Sequence, residues 1–179
     1  MWGGLDLAAS PRRPSGIVVG AEWTSLKVLT AYEDEEILAH LAEVSAVWVD
    51  APLTFSNKAF RDCDRKLQMR GIATLPLTWP SMQGLYRRAS TLQRTCREIQ
   101  WHETFPWSLY RWLTLSPPRK KEIKVLAQWT HEKGLVTQPA SVHEWDALAC
   151  WIIGWLAFQG KAEQVCGEEG VLWIPHNNL

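Results

Sequence analysis

The sequence predicts an α/β fold: one domain of 179 residues in which a sheet-forming start is followed by a helical insertion. Three observations predict it. The first 50 residues alternate β-rich runs with one amphipathic stretch in the order strand, strand, strand, helix, strand. The middle changes to helical spacing between Gly and Pro punctuation. A late segment then opens with a helix-capping pattern and stays apolar for several turns. A chain this long fits one domain, because domains run about 100–200 residues and a chain near that size buries roughly 70% of its unfolded surface.

The elements follow in order. Gly3 to Ala9 reads as a short strand, closed by the turn signal Ser10-Pro11-Arg12-Arg13-Pro14-Ser15-Gly16. Ile17 to Trp23 and Leu26 to Tyr32 are further β-rich runs, and such turn-bounded runs form an antiparallel meander. The acidic segment Glu33-Asp34-Glu35-Glu36 opens a helix with Ile37, Leu38, Leu41 and Val44 on one side, and acids in a first turn suit the positive end of the helix dipole. Ser45 to Asp50 is an apolar strand halted by Ala51-Pro52. Helices are then expected over Lys58 to Arg70, stopping at Gly71, and over Ser81 to about Glu98, after the Pro-containing loop 75–80. Ile99 to Thr104 can form a short strand before Pro106, and Lys120 to Lys133 reads as a helix ending at Gly134. Ser141 is the expected N-cap of a final long helix, with Glu144 completing a capping box, running to Gln159 and ending at Gly160. Gly170 to Pro175 is a last strand or extended segment.

Composition excludes several classes. With 46% hydrophobic and 21% charged residues the chain is not globally disordered. No apolar run reaches the 18 or more residues of a membrane span, and Met-Trp-Gly-Gly-Leu-Asp has neither the basic nor the apolar region of a secretory signal, so a cytoplasmic protein without a membrane partner is expected. Cys63, Cys96, Cys150 and Cys166 form no CxxC pair, which weakens zinc and thioredoxin-like readings and suits reduced thiols. Of the 12 Trp residues, Trp101, Trp107 and Trp112 cluster with Tyr110 and Arg111, as a local core or as a platform for stacking bases.

The chemistry points to acids. Asp6 and Asp50 end otherwise apolar strands, where α/β sheets bind ligands in the crevice beyond the strand ends. His143 and Asp146 lie three apart and share a helix face. Ala147, Ala149 and Gly154 are small enough for that helix to pack closely on the sheet and carry Asp146 toward Asp6 and Asp50. Clustered carboxylates repel unless a cation joins them, and oxygen-rich donors suit Mg²⁺ or Mn²⁺ better than zinc.

With these residues in view, the arrangement resembles the ribonuclease H-like fold, and His143-x-x-Asp146-Ala-Leu-Ala is similar to the last motif of the RuvC-type resolvases. The chain also resembles the DUF429 family of predicted RNase H-like nucleases. That resemblance rests on Gly4-Leu5-Asp6-Leu7-Ala8, Arg13-Pro14-Ser15-Gly16, Val49-Asp50-Ala51-Pro52-Leu53 and Phe60-Arg61-Asp62-Cys63-Asp64-Arg65. It continues through Leu75-Pro76-Leu77-Thr78, Glu103-Thr104-Phe105-Pro106 and His143-Glu144-x-Asp146-Ala147, and so covers essentially the whole chain. It implies a central mixed sheet, an antiparallel meander followed by parallel strands, flanked by helices. It also implies a nuclease with two divalent metals between carboxylates, one activating water and the other stabilising the leaving oxygen. Carried over, Asp6, Asp50 and Asp146 are the metal ligands. Glu103 is a fourth ligand or an acid supporting them. His143 orients the attacking water, sits beside the metals, or bonds its own backbone in the first turn. The Arg61, Asp64 and Arg65 cluster is absent from the main RNase H and RuvC branches. It either clamps a phosphate or forms salt bridges with the strand-end acids. A non-catalytic nucleic-acid or protein-binding module is the alternative function. A phosphate-ligand-binding protein fits less well, because no GxxxxGK[ST] loop is present.

The formal charge is zero, 19 basic against 19 acidic residues, which taken whole argues against a nucleic-acid partner. By segment it does not. Residues 1–50 carry 3 basic and 8 acidic side chains, residues 51–124 carry 14 and 5, and residues 125–179 carry 2 and 6. A basic, mostly helical segment at about 58–134, including Arg87, Arg88, Arg94, Arg97, Arg119, Lys120, Lys121 and Lys124, is thus the expected face for DNA or RNA. The oligomeric state, monomer or dimer, is left open.

Overall fold

β1 (Trp2–Asp6) occupies the middle of a five-stranded sheet in a computed structural model that describes residues 1–114 and 123–176. Its backbone pairs on both edges, and its glycines leave room for neighbours on the sheet faces. β2 (Ser15–Gly20) pairs with it antiparallel, and β3 (Lys27–Ala31) pairs antiparallel with β2 at the sheet's edge. On the other side β4 (Ala46–Val49) runs parallel to β1, and β5 (Gln100–Glu103) parallel to β4. The order is β3-β2-β1-β4-β5, a meander continued by parallel strands, as the sequence led us to expect. The strands are shorter than their apolar runs. Trp23–Ser25 is a 3-10 turn rather than the end of a strand; β2 stops at Gly20, where a Cβ would lie 2.7 Å from the Leu26 side chain.

α1 (Asp34–Leu41) begins at the acidic segment, where the Glu36 carboxylate accepts from the backbone of Tyr32 and Glu33. α2 (Asp62–Met69) starts four residues later than expected. Arg61 is its N-cap and the Asp64 carboxylate accepts the Arg61 backbone N–H, which fixes the first turn there. α3 (Pro80–Thr95) carries Pro at its first position, where the missing N–H costs nothing. α4 (Pro106–Thr114) follows Pro106 in the same way. This helix is not among those expected from the sequence, although Pro106 and the spacing of Leu109, Tyr110 and Leu113 mark it. α5 (Ile123–Glu132) lies within the expected helix, whose first residues, 120–122, fall outside the described residues. α6 (Val142–Phe158) has the capping box on Ser141 and Glu144 that its sequence announces. β6 (Ala162–Gly167) and β7 (Gly170–Pro175) then form a hairpin, of which only the second strand was foreseen.

Two apolar layers sandwich the sheet. On one face α6 packs through Leu148, Trp151 and Ile152 against Val18 and Trp48, with α4 and α5 beyond it. On the other, α1 and α3 contribute Ile37, Leu41, Ala89 and Leu92 against Leu5, Ile17, Val47 and Val49. A smaller cluster, Cys63, Leu67, Ile72, Val165 and Leu172, joins α2 to the hairpin. Most Trp residues belong to these layers: Trp151 is fully buried, stacks on Trp2 at 5.4 Å and donates to the Gly20 carbonyl. Among the described residues no helix is long and apolar enough to cross a membrane.

Candidate active site

Strand register places the first two acids. Leu5 is level with Val49 across the parallel β1–β4 pair, so Asp6 and Asp50, each the next residue, emerge side by side at the carboxyl ends of the strands. Neighbouring strands lie only about 4.8 Å apart. Val49 is level with Glu103 on the next strand, which brings a third acid to the same edge.

Glycines bring α6 to them. Gly4 faces the helix so closely that a Cβ there would lie 2.2 Å from the Ala147 carbonyl oxygen. A Cβ on Gly16, which is directly opposite Asp6, would lie 2.1 Å from the His143 carbonyl oxygen. The small residues expected on the helix contribute, but these strand glycines admit its backbone. His143 therefore arrives over the end of β1, and its Nδ1 lies 2.7 Å from Oδ2 of Asp6. The carboxylate accepts, so the bonded tautomer carries its hydrogen on Nδ1, and Nε2 is the ring nitrogen left for other partners. His143 thus bonds neither its own backbone nor a cap; it reaches across to β1.

One turn along α6, Asp146 is 3% exposed and accepts a hydrogen bond from the Tyr110 hydroxyl at 3.3 Å. Burial, and then the Asp146 charge, hold the Tyr110 phenol well above its ordinary pKa, so it remains a donor. Cys150 lies one further turn along α6. Burial raises its thiol well above the usual value, and the charges of Asp50, Asp6 and Asp146 all add to that rise. Asp6, Asp50, Asp146 and His143 line one cleft with a cavity of about 630 Å³.

Arg61 and its partners form a separate assembly at the cleft wall. Nε and Nη2 donate to Asp64 at 3.0 Å, Nη1 and Nη2 donate to Glu103 at 2.9 and 2.5 Å, and Nη1 also donates to Thr54 at 2.9 Å. A guanidinium has five N–H donors, and all five are spent. Burial works against the Arg61 charge, but Glu103 and then Asp64 outweigh it, so the cation is held more firmly than in a free arginine. Burial pushes the Glu103 carboxyl up while Arg61 draws it back, and Leu53 N–H donates to its Oε2. Of the two sequence alternatives for Arg61 and Asp64, this geometry is the salt bridge, made to Glu103 rather than to Asp6 or Asp50. It leaves no donor for a phosphate, and it engages both Glu103 oxygens that a metal would need. Arg65 is exposed on the far side of α2, in a shallow depression with Lys66, Met69 and Cys166, and does not line the cleft.

The basic segment also divides. Arg87, Arg94 and Arg97 are exposed on or just beyond α3, whereas Arg88 is buried, bonding Asp34 and the Ala8 and Tyr32 carbonyls. Lys124 is exposed; Arg119, Lys120 and Lys121 lie outside the described residues. The expected aromatic group separates too. Trp101 and Trp112 pack into the two cores, and Trp107 lines the cleft. Tyr110 and Arg111 were legible only as members of that group, although the first bonds Asp146 and the second lines the cleft.

No family model matches the chain, the DUF429 resemblance included, and no curated protein matches it in sequence. Solved structures do match. The structure of Thermus thermophilus RuvC aligns over 89% of this chain and 96% of its own, with a TM-score of 0.53 and 14% identity. The same protein in complex with a Holliday junction substrate aligns over 89% and 95%, with a TM-score of 0.50 and 14% identity. The fold is ribonuclease H-like. In that fold the strand-end pair Asp6 and Asp50 and the α6 residues His143 and Asp146 occupy one crevice.

Three carboxylates and an imidazole make an oxygen-rich donor set that fits Mg²⁺ or Mn²⁺ in chemistry. Among the described residues, no group of three or more His, Cys, Asp or Glu side chains is already disposed to hold an ion.

Proposed function

We propose that this cleft hydrolyses phosphodiester bonds of DNA or RNA, with Asp6, Asp50 and Asp146 holding the Mg²⁺ or Mn²⁺ that the reaction needs. The observation that carries the reading is the convergence of two strand-end carboxylates, a helix carboxylate and a histidine on one cleft of a ribonuclease H-like fold. The likeness to RuvC, solved with a Holliday junction substrate, supports a nucleic-acid substrate. A bound divalent cation would supply positive charge against phosphate oxygens and lower the pKa of water.

The chain's own residues do the rest. His143, tethered through Nδ1 to Asp6, presents Nε2 to accept a proton from an attacking water. Tyr110 holds Asp146 in orientation. The Arg61–Glu103–Asp64 assembly anchors the loop after β4 through Leu53 N–H, and so positions Asp50 rather than touching substrate. The exposed Arg87, Arg94 and Arg97 offer a surface for the phosphate backbone outside the cleft. Four free cysteines suit the reducing cytoplasm we expect for such an enzyme.

The test is cleavage of single-stranded, double-stranded, hybrid and branched substrates in Mg²⁺ and Mn²⁺. Wild type should cut at least one, and Asp6→Asn and Asp146→Asn should each abolish the cut without unfolding the protein; cleavage persisting in both variants sinks the assignment. A second reading, a nucleic-acid or protein-binding module that keeps the acids for structure, draws on the lack of a ready-made three-ligand cluster among the described residues. Binding without cleavage or cation uptake favours that module.

A further inference from the structure

The cleft is far more apolar than metal-assisted phosphate chemistry requires. Beyond the acids, its wall passes to Ile72, Leu75, Leu77, Met82 and Trp107. Leu75 lines the cleft while 52% exposed, so its apolar side chain is open to an entering ligand. Trp107 is half-buried, and among the described residues its ring stacks on no other ring, unlike Trp2, Trp23, Trp129 or Trp151. The volume, about 630 Å³, lies within the roughly 300–1,000 Å³ of pockets that enclose small ligands.

A cation stands in the same wall. Arg111 lines the cleft one residue after Tyr110, which itself holds Asp146. Its Nη1 is buried and, among the described residues, has no hydrogen-bond partner. Gly71, at φ +76°, leaves room beside it: a Cβ there would lie 3.1 Å from Nη1. A buried guanidinium nitrogen without an acceptor is unfavourable, and an anionic oxygen is its natural complement. Unlike Arg61, Arg111 forms no ion pair with a carboxylate among the described residues.

Resting on the reading of this site as a nucleic-acid cleft, we propose that it receives one unpaired nucleotide, its base between Leu75, Leu77, Met82 and Trp107 and its phosphate on Arg111. A base held within a duplex stack cannot enter such a compartment unless it is extruded. The substrate class is therefore single-stranded or locally unpaired nucleic acid. Every base has a flat π-face to lay against an indole, so the compartment selects for unpairing and not for sequence.

Binding tests this separately from catalysis. The full chain carrying Asp146→Asn, in Mg²⁺, is titrated by fluorescence anisotropy with a short labelled deoxyribonucleotide strand, its ribonucleotide counterpart and the matching duplex. The expected result is single-strand binding about tenfold or more tighter than duplex binding. Trp107→Leu and Arg111→Gln should each weaken the single strand about tenfold. Leu75→Glu, at an exposed position the fold tolerates, should do the same and guards against a folding defect in the Trp107 variant. Duplex binding equal to or tighter than single-strand binding overturns the proposal, as does unchanged affinity in both Trp107→Leu and Leu75→Glu. A free nucleoside monophosphate that binds as tightly as either strand also overturns it, in favour of a small metabolite. Single-strand preference in a protein whose wild type cuts nothing upholds the proposal and removes the nuclease reading. Duplex cleavage unaffected by Trp107→Leu does the reverse.

Discussion

The His143 Nδ1 lies 2.7 Å from the Asp6 Oδ2, joining the first turn of α6 to the end of β1 across 137 positions of sequence. The imidazole is 44% exposed and the carboxylate 14%, so the pair sits at the cleft rim, where ion pairs add little to stability. Its value is geometric: it fixes which ring nitrogen faces the cleft.

His143→Ala should therefore separate activity from stability. We expect cleavage to fall about 10²- to 10⁴-fold, the usual contribution of a positioned acid–base group, while unfolding free energy changes by no more than about 1 kcal/mol. Single-turnover cleavage beside urea unfolding of the same preparation measures both. A large loss of stability with unchanged cleavage would reassign His143 to structure.

Gly16 sets that geometry from below. A Cβ there would meet the His143 carbonyl oxygen at 2.1 Å, and backbone cannot rotate away as a side chain can. Gly16→Ala should push the start of α6 off the sheet, destabilise the protein by about 1–3 kcal/mol as overpacking does, and lower cleavage by moving His143 from Asp6. Thermal unfolding and cleavage rate check it. A variant with wild-type Tm and rate would mean that the helix has room to spare.

Much of this was legible because it is local or periodic. The meander, α1 and the capping box on Ser141 and Glu144 follow from β-branched runs, acids in a first turn and the Ser-x-x-Glu spacing. Asp6 and Asp50 stand out as charges at the ends of apolar strands. What the sequence hides is pairing at long range. Nothing near Arg61 indicates that Glu103, 42 residues on, takes both ends of its guanidinium, so a phosphate clamp and a salt bridge look alike until the strands are laid side by side. Helix α4 was masked by its aromatic content, which reads as a cluster before it reads as a helix, and with it went the roles of Tyr110 and Arg111. β6 alternates weakly and has meaning only as the partner of β7.

Arg61→Met tests the assembly that long-range pairing built. Removing the guanidinium leaves Glu103 and Asp64 buried without their cation, and breaking a buried pair from one side costs about 3–5 kcal/mol. Urea unfolding should show that loss. Adding Glu103→Gln should recover part of it by removing the stranded charge. An Arg61 that served phosphate instead would show a loss of nucleic-acid affinity with stability intact.

The four thiols should react in order of exposure. Cys166 is exposed and Cys96 partly so, while Cys63 and Cys150 are buried. Burial pushes the Cys63 thiol up to about 11 and Cys150 well above the usual value, so neither presents a thiolate near neutral pH. A thiol reagent at pH 8 should label Cys166 first and Cys96 more slowly. Cys63 and Cys150 should react only as the protein unfolds, which mass spectrometry of a labelling time course resolves. Rapid labelling of Cys150 would show that α6 lifts from the sheet.

The Glu144 carboxylate ties the same helix start to the sheet edge, and its contribution should depend on pH. Burial works upward on its pKa, but hydrogen bonds from Thr30 at 2.7 Å, Ala140 and Ser141 outweigh it and hold the group below the usual 4.5. A carboxyl with a depressed folded pKa stabilises fully above its unfolded value and loses that contribution as pH falls through the folded one. Wild type should therefore exceed Glu144→Gln in unfolding free energy at neutral pH, by up to about 1 kcal/mol for so exposed a cap, and the gap should close below about pH 4.5. Urea unfolding of both proteins between pH 3 and 7 measures it. A gap that widens toward low pH would mean that the neutral acid, not the carboxylate, is what the helix start holds.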